Sequence, residues 1–160
     1  MNSSKVIWLT GLPCSGKSTI AKEVAKLCDV KVFDGDTIRA QVGNQDFSYE
    51  GRVKQAHQVA TMASNWPGNV IVAIVSPFKE CRSIASELLK DRYVEVYVKC
   101  TLETCVNRDV KGMYEKAKKG EIKQFTGISS PYDIPENPHL VLDTEKLTVE
   151  QCARTILCLL

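Results

Sequence analysis

Short apolar runs alternate with stretches of helical periodicity along most of this chain. Val6-Ile7-Trp8-Leu9 is uninterrupted and apolar, which predicts a buried strand running into the loop Gly11 to Thr19. Ile20, Val24 and Leu27 then recur at helical spacing. Lys31-Val32-Phe33 predicts a second strand, before Asp34-Gly35-Asp36. Ser48 is placed to cap a helix reaching about Asn65, with Val53, Ala56, Ala60 and Ala63 on one face. After the turn Pro67-Gly68-Asn69 come a strand over Val70 to Val75 and a helix marked by Ile84, Leu88 and Leu89. Tyr93 to Lys99 predicts a strand, Thr101 to Asn107 a short helix and Leu140-Val141-Leu142 a last strand. Thr148 to Gln151 has capping-box spacing for a C-terminal helix. Alternating helices and near-continuous apolar strands predict an α/β protein, with a mainly parallel sheet covered on both faces. Lys111 to Pro138 is rich in Lys, Gly and Pro and shows no strong core pattern. It is long for a structureless connector, so the segment from about 109 to 138 is expected to be a mobile basic lid. With no repeat or linker in view, residues 1–160 are expected to form a single domain.

Composition narrows the function classes. With 21 Lys and Arg against 19 Asp and Glu the net charge is +2, so bulk charge gives no reason to expect nucleic acid or an anionic membrane as partner. No run approaches the ~18 apolar residues of a membrane span. Met1-Asn2-Ser3-Ser4-Lys5 lacks the apolar core and cleavage site of a signal peptide. The seven cysteines are odd in number and form no C-x-x-C pair, which fits a reduced, cytoplasmic protein with inert thiols. Cys14 sits inside the glycine loop and is read as a loop-packing residue, with redox sensing as the alternative.

Gly11 to Ser18 satisfies G-x-x-x-x-G-K-[ST] at every fixed position. Glycines let successive backbone N–H groups converge on phosphate oxygens, and the following helix adds its positive N-terminal dipole. Lys17 can reach the β- and γ-phosphates, and the Ser18 hydroxyl can ligate Mg²⁺. With a strand before and a helix after, the loop predicts a P-loop NTPase fold and nucleotide binding. The absence of a guanine-reading Asn-Lys-x-Asp pattern favours a small-molecule kinase. Asp34 and Asp36 follow strand two, where α/β sites form. One carboxylate could organise Mg²⁺ and the other could take a proton from an acceptor hydroxyl, with Asp36 preferred as the base because it is nearer Arg39. A helix cap and turn is the structural alternative, with Asp36 as the cap of Thr37-Ile38-Arg39.

Several segments taken together carry a family resemblance. They are Gly11 to Thr19, Phe33 to Arg39, Phe47 to Arg52, Ile74 to Phe78, Tyr97 to Cys100, Arg108 to Tyr114, Gly120 to Ile128, Pro131-Tyr132, Pro135 to Pro138 and Leu140 to Thr144. On these the chain resembles adenylylsulfate kinases over nearly its whole length. The resemblance implies transfer of the ATP γ-phosphate to the ribose 3′-hydroxyl of adenosine 5′-phosphosulfate (APS), giving 3′-phosphoadenosine 5′-phosphosulfate (PAPS). It also implies Mg²⁺ and a homodimer. ATP is then expected at Gly11, Cys14, Ser15, Gly16, Lys17, Ser18, Thr19 and Arg108. Arg39 and Arg52 would hold the phosphosulfate, Phe47 and Phe125 would sandwich the acceptor adenine, and Ser76 would place a hydrogen bond near the reacting groups. Forked arginine donors suit phosphate and sulfate oxygens, and the transferring phosphoryl wants Lys17, Mg²⁺ and Lys111 or Lys123 nearby.

The match breaks on the acceptor side. Where the family pattern has Asp, Asn and an Arg pair, this chain has Gly51, Gln55 and His57-Gln58. The loop between Arg39 and Phe47 is about one residue short, and Val110 stands where Pro is usual. Gln55 can still hydrogen-bond an adenine edge. These departures keep open a kinase acting on the 3′-hydroxyl of another nucleoside diphosphate derivative, as in surface-polysaccharide modification. A third reading is a non-catalytic nucleotide-binding module, against which the intact Lys17, Ser18, Asp34 and Asp36 argue.

Overall fold

β1 (Val6–Thr10) is buried at every position because it runs through the middle of a five-stranded sheet. The computed structural model describes residues 3–160; Met1 and Asn2, part of the segment read as no signal peptide, lie outside the described residues. Along the chain follow α1 (Lys17–Leu27), β2 (Lys31–Asp34), α2 (Gly35–Val42), α3 (Tyr49–Ser64), β3 (Val70–Ala73) and α4 (Lys79–Leu89). Then come β4 (Tyr93–Lys99), α5 (Leu102–Arg108), α6 (Met113–Lys118), β5 (Leu140–Asp143) and α7 (Val149–Leu157). The strand order is β2-β3-β1-β4-β5 and every pairing is parallel.

The period-two alternation of β1 builds two cores, one on each face. Val6 and Trp8 pack with Ala56, Val59, Ala60, Cys81 and Ala85 under α3 and α4. Ile7 and Leu9 pack with Ile20, Val24, Cys152 and Ile156 under α1 and α7. Side chains cap the helices where the sequence suggested. Ser48 accepts a hydrogen bond from the Gly51 N–H at the start of α3, and Thr148 and Gln151 close a capping box on α7.

Three departures from the sequence reading matter for the site. The turn expected at Thr37 is an eight-residue helix, α2, and its N-cap is Asp34 rather than Asp36. The buried stripe of α4 is Cys81, Arg82, Ala85 and Leu89, while Leu88 is exposed. The segment after Lys111 does have a core: Tyr114 and Ala117 of α6 pack with Phe125, Cys100 and Cys105 in a third cluster. A helix of six residues spans less than two turns, too short to show periodicity. Among the described residues no helix is long and apolar enough to cross a membrane.

Candidate active site

The ends of β2 and β3 and the loop after β1 border a cavity of about 830 Å³. This is the crevice at the carboxyl ends of parallel strands where α/β proteins bind ligands. Gly16, at φ 114°, adopts a backbone that side-chain-bearing residues rarely tolerate, and it turns the loop into α1. The loop is braced from outside. Thr144 donates its hydroxyl to the Ser15 carbonyl at 2.8 Å, and Tyr114 donates to the Pro13 carbonyl at 2.7 Å. Arg108 Nη1 donates to the Cys14 and Ser15 carbonyls at 3.2 Å each.

Lys17 Nζ is folded onto its own loop, donating to the Gly11 carbonyl at 2.9 Å, the Leu12 carbonyl at 2.8 Å and Ser15 Oγ at 3.3 Å. Burial pushes its ammonium down from 10.5 to about 8, against partial restoration by Asp36 and other neighbours. Neutral carbonyls solvate a cation less well than phosphate oxygens would. This ammonium is therefore primed for an anion.

The two carboxylates divide the work. Asp34 Oδ2 accepts from the Ser18 hydroxyl, and Asp34 Oδ1 accepts from the Asp36 N–H at 3.0 Å, capping α2. Asp36 is exposed and pairs with Lys111 across the cavity mouth. That pairing, chiefly its hydrogen bond, raises the Lys111 ammonium above its ordinary value.

Around Phe47 the cavity wall gathers two buried cations, Arg39 and Arg52, with the Asp36 and Asp46 carboxylates nearby but in no ion pair with them. Arg39 and Arg52 are 8% and 5% exposed, and neither forms an ion pair among the described residues. Both guanidiniums lie over the Phe47 ring, at 4.6 Å and 4.7 Å. Arg39 donates to Gln55 Oε1 at 2.9 Å and to the Asp46 carbonyl at 3.1 Å, and Arg52 donates to Thr126 Oγ1 at 3.1 Å. Two buried donors have no partner, Arg52 Nε and Gln55 Nε2. Burial, and then the neighbouring Arg39 charge, bring the Arg52 guanidinium down from its ordinary value to about 10. Gly51 explains one departure from the family pattern. A Cβ there would stand 2.5 Å from Asp46 Cγ, so the Asp46 carboxylate occupies the space of a side chain at 51.

The structure brings Cys14, Gly16, Lys17, Ser18, Thr19 and Arg108 to one part of the cavity wall. Asp34, Asp36, Arg39, Phe47, Arg52, Gln55, Lys111 and Phe125 form another part. Gly11 and Ser15 sit behind the wall, as acceptors for Lys17. Two further expected residues are also off it. Ser76 is 3% exposed, and its hydroxyl oxygen accepts from Trp8 Nε1 at 2.9 Å, because a left-handed backbone at φ 45° directs it to the sheet. Lys123 is exposed and does not line the cavity, while its neighbours Ile122 and Phe125 pack into the third cluster. Phe125, which looked isolated among polar neighbours, is 2% exposed and packs edge-on against Tyr114 at 5.0 Å. Sequence reasoning missed Thr126, Asp46 and Tyr114 as supports of the site. Only the i, i+3 pair Tyr114 and Ala117 left a signal.

Comparison with known proteins agrees with this geometry. A family model described as adenylylsulphate kinase matches residues 3–143. An adenylyl-sulfate kinase of Bacillus licheniformis is 45% identical, over 94% of this chain and 82% of that protein. A probable adenylyl-sulfate kinase of Aeropyrum pernix is 44% identical, over 91% of this chain and 86% of that one. The Mycobacterium tuberculosis APS kinase CysC, solved in complex with AMPPNP and APS, superposes with a TM-score of 0.91 at 33% identity, over 99% of this chain and 98% of that one. A shikimate kinase from Acinetobacter baumannii, at a TM-score of 0.64 and 18% identity, shares the fold alone. On a match over residues 3–143 and relatives of this identity and coverage, the chain belongs to the adenylylsulfate kinase family.

Proposed function

We propose that this protein transfers the γ-phosphoryl group of ATP to the 3′-hydroxyl of adenosine 5′-phosphosulfate, giving PAPS and ADP. The observation that carries the reading is the pair of buried guanidiniums, Arg39 and Arg52, neither in an ion pair among the described residues, with Arg52 Nε and Gln55 Nε2 left without a hydrogen-bond partner. Buried charges without partners are costly, so such a site is built for a ligand that brings the anion. A 5′-phosphosulfate carries two negative charges on one end of a purine nucleoside, and Phe47 offers the adjoining aromatic surface.

In the reaction Lys17 exchanges its loop carbonyls for β- and γ-phosphate oxygens. The Ser18 hydroxyl and Asp34 carboxylate are hard oxygen donors in mutual contact, a pair that fits Mg²⁺. Once bound there with ATP, the ion neutralises charge on the phosphate oxygens. Asp34 is committed to Ser18 and to the α2 cap, which leaves Asp36 to accept the proton of the 3′-hydroxyl. The acceptor oxygen bonds to the γ-phosphorus as the bond to the β–γ bridging oxygen breaks, and the proton passes from Asp36 to solvent. Lys111, freed from Asp36, stabilises the charge on the transferring group. Residues 109–138 act as the lid of a single 1–160 domain, and the enzyme works in the cytoplasm as a homodimer. The test is ADP release by purified protein with Mg·ATP, supplied with APS or with a panel of other nucleoside diphosphate derivatives. Turnover confined to another acceptor overturns the reading. No turnover with any acceptor, by wild type and Lys17→Ala alike, identifies a non-catalytic module.

A further inference from the structure

Arg82 is a buried charge that the reaction does not use. It is 6% exposed, lies in the apolar stripe of α4, and does not reach the cavity wall. Its fork grips two backbone carbonyls far apart in sequence. Nη1 donates to the Ser76 carbonyl at 2.8 Å and Nη2 donates to the Asp133 carbonyl at 2.5 Å. Among the described residues its ion-pair partner is Glu95, 3.9 Å from Nε.

Both gripped segments are special. Ser76 is a non-glycine residue at φ 45°, a conformation that persists only where surroundings over-determine it. Thr10, the last residue before the glycine loop, donates its hydroxyl chiefly to the Val75 carbonyl at 2.6 Å, with the Ser76 carbonyl a longer acceptor at 3.3 Å. Asp133 is bound to the same turn from the other side. Its N–H donates to the Pro77 carbonyl at 2.7 Å, and its carboxylate accepts from the Lys79 N–H at 3.0 Å, at the start of α4. Next to it, Tyr132 shares a 2.8 Å hydrogen bond with the Thr10 hydroxyl, and its ring lies 5.7 Å from the Arg82 guanidinium.

The segment from Phe125 to Asp133 is thus pinned at two places. Arg52 of α3 holds Thr126 beside the cavity, and Arg82 of α4 holds Asp133 behind it. Between them the chain turns tightly, with the Ser129 and Ser130 N–H groups both donating to the Phe125 carbonyl, at 3.0 Å and 3.1 Å. We infer that Arg82 is a positioning residue. Through Asp133 and Ser76 it sets the Phe125–Thr126 wall of the acceptor pocket against the end of β3, and so governs acceptor binding without touching substrate. The inference rests on the acceptor-site reading above, but its test need not.

Arg82→Lys keeps one charge and loses the fork, because an ammonium cannot span both carbonyls in that planar geometry. Tyr132→Phe removes one hydroxyl from the same clasp and serves where Arg82→Lys fails to fold. Arg82→Lys is expected to raise the acceptor KM about tenfold or more, the loss of roughly one charge-assisted contact, and Tyr132→Phe, which loses a neutral hydrogen bond, to raise it about threefold or more, while the ATP KM stays within about twofold in both. Amide hydrogen exchange on the ligand-free protein is expected to quicken at residues 125–133 and to stay unchanged in α1. A lowered melting temperature with both KM values unchanged, equal rises in the two, or unaltered exchange at 125–133 would each overturn the inference. If the wild type turns over an acceptor other than APS, the same split is read with that acceptor. If it turns over none, the exchange experiment decides alone.

Discussion

Arg52→Met separates function from stability most sharply. Arg52 is buried, its Nε has no partner among the described residues and Arg39 stands beside it. The drop of its guanidinium from its ordinary value to about 10 corresponds to on the order of 3 kcal/mol held against the charged form. Methionine removes that burden and keeps most of the apolar stem, at the cost of the hydrogen bond to Thr126 and the contact with Phe47. These terms nearly cancel, so the melting temperature of the ligand-free variant is expected within about 3 °C of wild type. Acceptor binding has no such offset. A charge-assisted fork to an anion contributes about 3 kcal/mol, or ~100-fold in acceptor affinity. The assay is calorimetric titration with APS and with ADP, alongside thermal unfolding without ligand. A fall in melting temperature beyond about 8 °C, with equal loss of APS and ADP binding, would refute the reasoning and make Arg52 a structural residue.

Four further outcomes follow from the same geometry. Because folding lowers Lys17 from 10.5 to about 8, the unfolded chain binds more protons between those values, and stability should rise with pH through that window. Phosphate contact restores the proton, so ADP titrations near pH 8.5 in buffers of different ionisation enthalpy should show net proton uptake by wild type and none by Lys17→Met; equal uptake by both contradicts this. Gly51→Ala forces a methyl against the Asp46 carboxylate, so it should displace the Phe47 turn and raise acceptor KM more than ATP KM. Steady-state kinetics unchanged by that substitution would show that the turn gives way freely. Phe125→Ala should lower stability by about 3–5 kcal/mol, seen as a reduced urea midpoint, and should weaken acceptor binding more than ATP binding.

Much of this was legible in the sequence, for identifiable reasons. Gly11 to Ser18 is a local motif whose spacing dictates its geometry, and β4 and the Ser48 cap of α3 stand where pattern and cap chemistry agree. The features that were missed depend on non-local partners. Arg82 interrupts an apolar stripe, and nothing nearby in sequence reveals that its acceptors are the carbonyls of Ser76 and Asp133. Asp36 is the cap expected from the sequence; only the start of α2 shows that Asp34 caps it. The glycine at 51 looked like a lost carboxylate, whereas the structure has Asp46 filling that space from the preceding turn.

The central claim is that the cationic pocket presents the 3′-hydroxyl of APS to the γ-phosphorus of ATP. Phosphorus-31 NMR of the product formed by purified protein with Mg·ATP and APS tests it directly. A new phosphomonoester resonance coupled to the ribose 3′ proton, with the phosphosulfate signal retained, is the expected result. ATP consumption with no 3′-phosphomonoester, or phosphate on a competing acceptor in place of APS, would contradict it.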